Sequence, residues 1–184
     1  LRFGAGARRE LPGLVAQRGR RALLVTGRRS FSGAGLDLTE AGVAAERLIV
    51  SGEPSPELVD QAVAAHRGQV DVVVAVGGGS AIDAGKAISA MLPQSNSVLD
   101  HLEGLPQFRP HPGTKVPFIA VPTTAGTGAE ATKNAVLSRV GPDGFKRSLR
   151  HDNLIPDVAL IDPELSLSCP PDITAACGMD ALCQ

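Results

Sequence analysis

The chain contains no tryptophan and no tyrosine, and only five phenylalanines among its 184 residues. Aromatic platforms on which nucleic-acid bases could stack are therefore not expected. Charge of one sign is missing as well. Eighteen Lys and Arg face 19 Asp and Glu, for a net charge of −1, so neither nucleic acid nor an anionic membrane is expected as a partner. No apolar run reaches the roughly 18 residues of a membrane span. Cysteine is scarce, with only Cys169, Cys177 and Cys183. An odd count without a secretory signal core fits reduced thiols in a cytoplasmic protein. The opening LRFGAGARRE has no such core and no initiator Met, and the closing PPDITAACGMDALCQ is a helical pattern without a Gly, Asn or basic stop. Both ends read as cuts, with a second domain expected past residue 184.

What is present is a core-forming composition, 43% hydrophobic, arranged in alternating patterns. ALLVTG (22–27) and RLIVSG (47–52) read as strands, with a helical stretch expected at 36–45. SPELVDQAVAAHRGQ (55–69) reads as a helix, with Ser55 as cap and Pro56 in the first turn. DVVVAVGGG (71–79) is a strand apolar throughout, as one buried on both faces should be. A helix follows over 80–92, then a strand in VPFIAVPTT (116–124). Residues 93–115, rich in Pro and polar residues, read as a loop. NAVLSRVGPDGFKRSLR (134–150) turns at GPDG and predicts a β-hairpin, DVALIDPEL gives a last buried strand, and Pro170 and Pro171 open a final helix. The expected fold is α/β, doubly wound, with a mostly parallel Rossmann-like sheet, the hairpin, and the start of an all-helical second domain at the C-terminal end. The expected division is 1–168 and 169–184.

The stretch VVVAVGGGSAIDAGKAIS (72–89) passes from strand to helix through three glycines. It fails the Walker pattern, because Ser80 stands where the first Gly is required and Ala87 follows Lys86. It fails the G-x-G-x-x-G pattern at Ile82. The physical arrangement remains: Gly77, Gly78 and Gly79 admit close backbone approach, and a helix N-terminus favours an anion. Ser80 and Asp83 are spaced as a capping box. Two glycines would suffice for a tight turn, so the third points to a phosphate. A second polar loop, VPTTAGTGAEATKNAV (121–136), offers Thr123, Thr124 and Thr127, with a further capping-box spacing from Thr127 to Glu130. Two such loops at strand ends of one sheet are where α/β folds bind ligands. His66, His101, His111 and His151 have no metal-ligand spacing and read as surface or loop residues.

GGGSAIDAGKA, PTTAGTGAEAT and the segment KRSLRHDNLIPDVALIDPELSLSCPPDITAACGMDAL together resemble the iron-containing (group III) alcohol dehydrogenase family. The resemblance implies an N-terminal dinucleotide domain, a C-terminal helical metal-binding domain, and a site in the cleft between. It implies that Gly78, Gly79 and Ser80 hold the pyrophosphate, and that Thr123, Thr124 and Thr127 line the cofactor cleft. Asp83 is spaced either to reach the cofactor or, equally, to serve only as the helix cap. Lys146 matches a cofactor-binding lysine, Val136 and Leu165 match positions near the nucleotide, and Asp180 matches the first metal ligand.

Two positions depart from the pattern. Gly27 stands where many members have an Asp that holds the adenosine ribose, and Arg28 and Arg29 follow it. Glycine leaves room for a 2′-phosphate and arginine can pair with one, which tilts the expectation between NAD and NADP towards NADP. Gln184 stands where many members have a His ligand. Its amide oxygen, one turn from Asp180, could still ligate, though more weakly than imidazole towards Fe2+ or Zn2+. The resemblance thus implies a metal-dependent oxidoreductase, a homodimer, that moves a hydride between NAD(P) and a small alcohol or aldehyde. A dehydroquinate synthase-like lyase and a truncated dinucleotide-binding module without catalysis remain as alternatives.

Overall fold

The computed structural model describes residues 1–30 and 37–183. Six strands form one parallel sheet: β1 (Arg2–Phe3), β2 (Arg21–Gly27), β3 (Ala44–Val50), β4 (Val72–Gly77), β5 (Phe118–Pro122) and, last in the chain, Val158–Ile161. Strands β6 (Asn134–Arg139) and β7 (Phe145–Arg150) pair antiparallel as the expected hairpin, which makes the last sheet strand β8. The sheet order is β1-β8-β5-β4-β2-β3. Among the described residues four α-helices accompany it: α1 (Leu11–Ala16), α2 (Pro56–His66), α3 (Gly79–Met91) and α4 (Pro171–Cys183).

The central strand β4 is buried along its whole length, which is why its sequence does not alternate. Its side chains feed two cores. Val73 and Ala75 meet Leu23, Val25, Ile82, Ile88 and Phe118 beneath α2 and α3. Val72, Val74 and Val76 meet Leu24, Ile119, Val121 and the α1 residues Leu11, Leu14 and Val15 on the other face. Each fully buried aliphatic side chain of this kind contributes about 1.5–3 kcal/mol. Gly85 lets α3 lie close on the sheet: a Cβ there would stand 2.9 Å from the Ala75 Cβ and 3.0 Å from Phe118 Cε2. A larger residue at 85 would push the helix off β4 and β5.

Helix α2 begins as expected, with Ser55 Oγ accepting from the Leu58 amide at 3.2 Å and Pro56 in the first turn. The helix expected over 36–45 is not formed in its described part. Residues Thr39–Ala41 make a 3-10 turn, Gly42 takes a left-handed φ of 68°, and β3 already begins at Ala44. Strand pairing outweighs local helix propensity here, because all seven residues of β3 lie in parallel register with β2. The beginning of that stretch lies outside the described residues. At the N-terminus, β1 pairs with β8 and α1 buries Leu11, Leu14 and Val15; neither element was expected from sequence.

The histidines are not surface residues throughout. His66, His101 and His111 are buried. His101 Nδ1 faces the Arg109 carbonyl at 2.9 Å, and His111 Nδ1 accepts from the Gly113 amide at 3.0 Å. His111 Nε2 lies 3.2 Å from the Ala90 carbonyl, so the neutral ring donates there. Burial pulls the His111 pKa down to about 4. These rings fasten the 93–115 segment onto the end of α3.

Candidate functional site

The carboxyl ends of β2, β4 and β5 lie side by side, with Thr26 opposite Val76 and Gly77 opposite Pro122. From β2 the chain passes outward to β3 and then returns to β4 on the other side of β2. Such a reversal of strand order opens a crevice at the strand ends, the usual ligand position in open α/β sheets. Helix α3 starts in that crevice. Its N-cap is Gly78, in extended conformation and with no side-chain cap hydrogen bond.

The capping box expected from Ser80 and Asp83 is therefore absent. The Gly78 carbonyl accepts from the Ala81 and Ile82 amides at 3.1 and 3.2 Å, so the helix starts earlier than the sequence suggested. Ser80 lies inside the first turn, and Asp83 turns towards the hairpin, accepting from the Val136 amide. The consequence is chemical. No side-chain oxygen covers the first-turn amides, which leaves them aimed into the crevice for an anion. The box expected from Thr127 to Glu130 is also absent, since no helix follows: Thr127 Oγ1 accepts from the Ala129 amide at 3.3 Å in a local turn.

The glycines make this cradle. A Cβ on Gly78 would stand 3.2 Å from Thr124 Oγ1, and one on Gly79 would stand 2.9 Å from Thr127 Cγ2. The two polar loops thus meet at the helix mouth, with Thr124 on one glycine and Thr127 on the next. A cavity opens on each side. The larger, about 400 Å3, is lined by Thr123, Thr124, Leu165, Ile173, Arg29 and Ser30, among others. The smaller, about 180 Å3, is lined by Gly79, Ser80, Asp83, Thr127, Val136 and Lys146, with Glu53 and Ser138. Of the residues placed at the cofactor by the family resemblance, Gly79, Ser80, Asp83, Thr127, Val136 and Lys146 line the smaller cavity and Thr123, Thr124 and Leu165 the larger.

Three features of the site were not expected. Lys86 is almost wholly buried, and its ammonium donates to the carbonyls of Ala129, Thr132 and Asn134 at 2.7, 2.7 and 2.9 Å and to Thr132 Oγ1 at 3.0 Å. It pins the loop that carries Thr127 beneath α3. Burial pulls its pKa down to about 8, against the opposing pull of Asp83 and Glu130. The only available sequence signal was the Asp83–Lys86 spacing, which puts both on one helix face. Ser30 Oγ donates to the Val76 carbonyl at 3.1 Å and would sit 2.8 Å from a Cβ on Gly27, so a serine fills part of the space an aspartate would take. Arg47, one strand away, donates from Nε to Thr26 Oγ1 at 2.9 Å and from Nη2 to the Gly27 carbonyl at 3.4 Å. Gly27 is thus bracketed by Arg47 behind and Arg28 and Arg29 ahead, and the Arg29 side reaches the larger cavity.

In the smaller cavity, burial pushes the Asp83 carboxyl up to about 6, although Lys86 and Lys146 draw it down. Lys146 Nζ pairs with Glu53 Oε1 at 2.9 Å. Asp180 lies half-buried on α4. Cys177, three residues before it, is half-buried against the second loop: a Cβ on Gly126 would stand 3.0 Å from Cys177 Cα. The i, i+3 spacing places Asp180 towards that same loop. Gln184 lies outside the described residues. Among the described residues no three His, Cys, Asp or Glu side chains gather as a metal site.

The family model of the iron-containing alcohol dehydrogenases matches residues 1–163. The chain belongs to the iron-containing alcohol dehydrogenase family. Among curated members, it is 44% identical to long-chain-alcohol dehydrogenase 1 of Geobacillus thermodenitrificans over 131 residues, 71% of this chain and 32% of that protein. It is 34% identical to the NADPH-dependent butanol dehydrogenase of Clostridium saccharobutylicum, over 98% of this chain and 47% of that one. The solved structure of sulfoacetaldehyde reductase from Bifidobacterium kashiwanohense, in complex with NAD+, superposes with a TM-score of 0.83 at 34% identity, over 97% of this chain and 48% of that one. The chain thus spans about half the length, or less, of these relatives. The six-stranded parallel sheet with its covering helices is the N-terminal architecture of the iron-containing alcohol dehydrogenases, and no helix among the described residues is long and apolar enough to cross a membrane.

Proposed function

We propose that this chain is the dinucleotide-binding part of an NAD(P)-linked, metal-dependent dehydrogenase acting on a small alcohol or aldehyde. One observation carries the reading: the Gly78 and Gly79 cradle at a helix mouth with no side-chain cap, set between two cavities of unequal size. A diphosphate fits the amides and the positive end of the helix dipole. The larger cavity, walled by Leu165 and Ile173, suits a flat apolar adenine. The smaller one, with Asp83 and Glu53, suits the nicotinamide end, whose oxidised ring is a cation. Thr124 and Thr127 occupy the space that a Cβ on either glycine would need, while Lys86 holds the threonine loop. Arg28 and Arg29 beside Gly27 favour NADP, since a 2′-phosphate would meet guanidinium rather than carboxylate.

Asp180 is the ligand this chain would offer a divalent Fe2+ or Zn2+, with Gln184, four residues later in the sequence, as a second. When bound, such an ion supplies Lewis acidity at the alcohol or aldehyde oxygen, and the nicotinamide supplies the hydride chemistry. The chain itself binds and orients: the amides fix the diphosphate, and the cavity walls exclude water from the nicotinamide face. A division at 168/169, a homodimer and a cytoplasmic setting belong to the same reading. The relatives being dehydrogenases and a reductase favours redox chemistry over the lyase alternative. The test is a fluorescence titration of the full-length protein with NADPH and NADH. Micromolar binding of NADPH, lost in Gly78→Val/Gly79→Val, supports the reading; binding of neither nucleotide by the wild type contradicts it.

A further inference from the structure

One buried polar atom in the smaller cavity lacks a partner. Ser138 is 6% exposed, and its Oγ makes no hydrogen bond, alone among the buried side-chain polar atoms of the described residues. Burying a hydroxyl unpaired is costly, and such groups are rare without a reason. The strand geometry explains where the hydroxyl points. Ala135 and Leu137 enter the core under α3, so Val136 and Ser138 share the opposite face of β6 and line the cavity. Ser138 is cross-strand from Lys146, yet the Lys146 ammonium reaches past it to Glu53. The Glu53 carboxylate lies close enough for the Ser138 hydroxyl to draw it below the usual carboxylate range, yet the two do not meet the distance and angle of a hydrogen bond. The Ser138 amide donates to the Pro54 carbonyl at 2.9 Å, which fixes this part of β6 against the loop that carries Glu53. The hydroxyl is thus held rigidly beneath the Lys146–Glu53 pair, facing the space beside Gly79 and Asp83.

We infer that Ser138 is a cofactor-binding residue whose hydroxyl hydrogen-bonds the carboxamide of the nicotinamide ring. This rests on the dinucleotide reading above and adds a contact to it. A neutral hydrogen bond to an otherwise unpaired buried hydroxyl is worth roughly a fivefold to tenfold change in affinity. The test compares NADPH with ADP-ribose, which carries the same diphosphate but no nicotinamide, by titration of the full-length protein and its Ser138→Ala and Ser138→Thr variants. Ser138→Ala should weaken NADPH about fivefold to tenfold and leave ADP-ribose unchanged. Ser138→Thr, which keeps the hydroxyl, should restore NADPH binding. Unchanged NADPH affinity in Ser138→Ala, or an equal loss for both ligands, overturns the inference while leaving the dinucleotide reading intact. If the wild type binds neither ligand, the dinucleotide reading falls and this contact with it.

Discussion

Helices α3 and α4 are each 13 residues long, and they sit at opposite extremes of burial. In α3 ten residues are buried, Lys86 among them; in α4 none is. The first is packed on one side by β4 and β5 and on another by the hairpin, and its less buried residues, Gly79, Ser80 and Asp83, lie in its first turns. The second lies against the 124–126 loop with Cys177, lines cavities with Ile173 and Thr174, and leaves Met179 and Leu182 exposed. A fixed helix can present a rigid anion cradle. A helix with an uncovered apolar face can present Asp180 only as well as something else holds it. The contrast teaches that packing fixes α3 along its length and leaves α4 largely uncovered.

The largest effect should come from the cradle itself. Gly78→Val with Gly79→Val drives two Cβ atoms into Thr124 and Thr127, and the NADPH Kd should rise at least a hundredfold. Asp180→Ala, on the loosely held helix, should move that Kd by less than about threefold while lowering the bound metal of the full-length protein to well under half, read by elemental analysis. If the two variants behaved alike, the division of labour between the helices would be wrong. Next comes the packing of α3. Lys86→Met strands three carbonyls and should cost about 2–4 kcal/mol in urea unfolding, whereas Leu182→Ala in the 184-residue chain should stay within about 0.5 kcal/mol.

Acidity sharpens the comparison further. Asp83 titrates near 6 in the folded chain and near 3.8 when unfolded. Between those values the folded state holds a proton that the unfolded state has lost, so stability falls as pH rises from about 4 to about 6. His111 works in the opposite sense: with a folded value near 4 against 6.5, it adds stability as pH rises through nearly the same window. The two nearly cancel in the wild type. Asp83→Asn should expose the His111 trend, gaining about 2–3 kcal/mol over the wild type above pH 6 and nothing below pH 4. A flat difference between the two proteins from pH 4 to 7 would show that Asp83 is not held against its burial. The smallest effect expected is at Gly27. Gly27→Asp should shift the NADPH-to-NADH affinity ratio about tenfold towards NADH, because a carboxylate replaces space beside Arg29; an unmoved ratio would remove the arginines from 2′-phosphate recognition.

Much of this was legible in the sequence because the signals were long or doubled. The β4–α3 passage, the β5 threonine loop and the hairpin all carried their own punctuation, and the residues they suggested converge on one crevice. What was not legible depended on partners distant in the chain. Strand β3 overrode a helical pattern because β2 was there to pair with it. Ser80 and Asp83 matched a capping box in spacing, but the third glycine had already begun the helix. Lys86 looked like a failed Walker lysine until three carbonyls from residues 129–134 surrounded it. Ser138 gave no signal at all, since an unpartnered hydroxyl is visible only when everything around it has been placed.

The most direct test of the central claim is a crystal structure of the full-length protein with NADPH bound. The account predicts the diphosphate within hydrogen-bond distance of the amides of residues 78–80, with adenine beside Leu165 and nicotinamide beside Asp83. A dinucleotide seated away from that helix mouth, or placed there with its two ends exchanged, would contradict it.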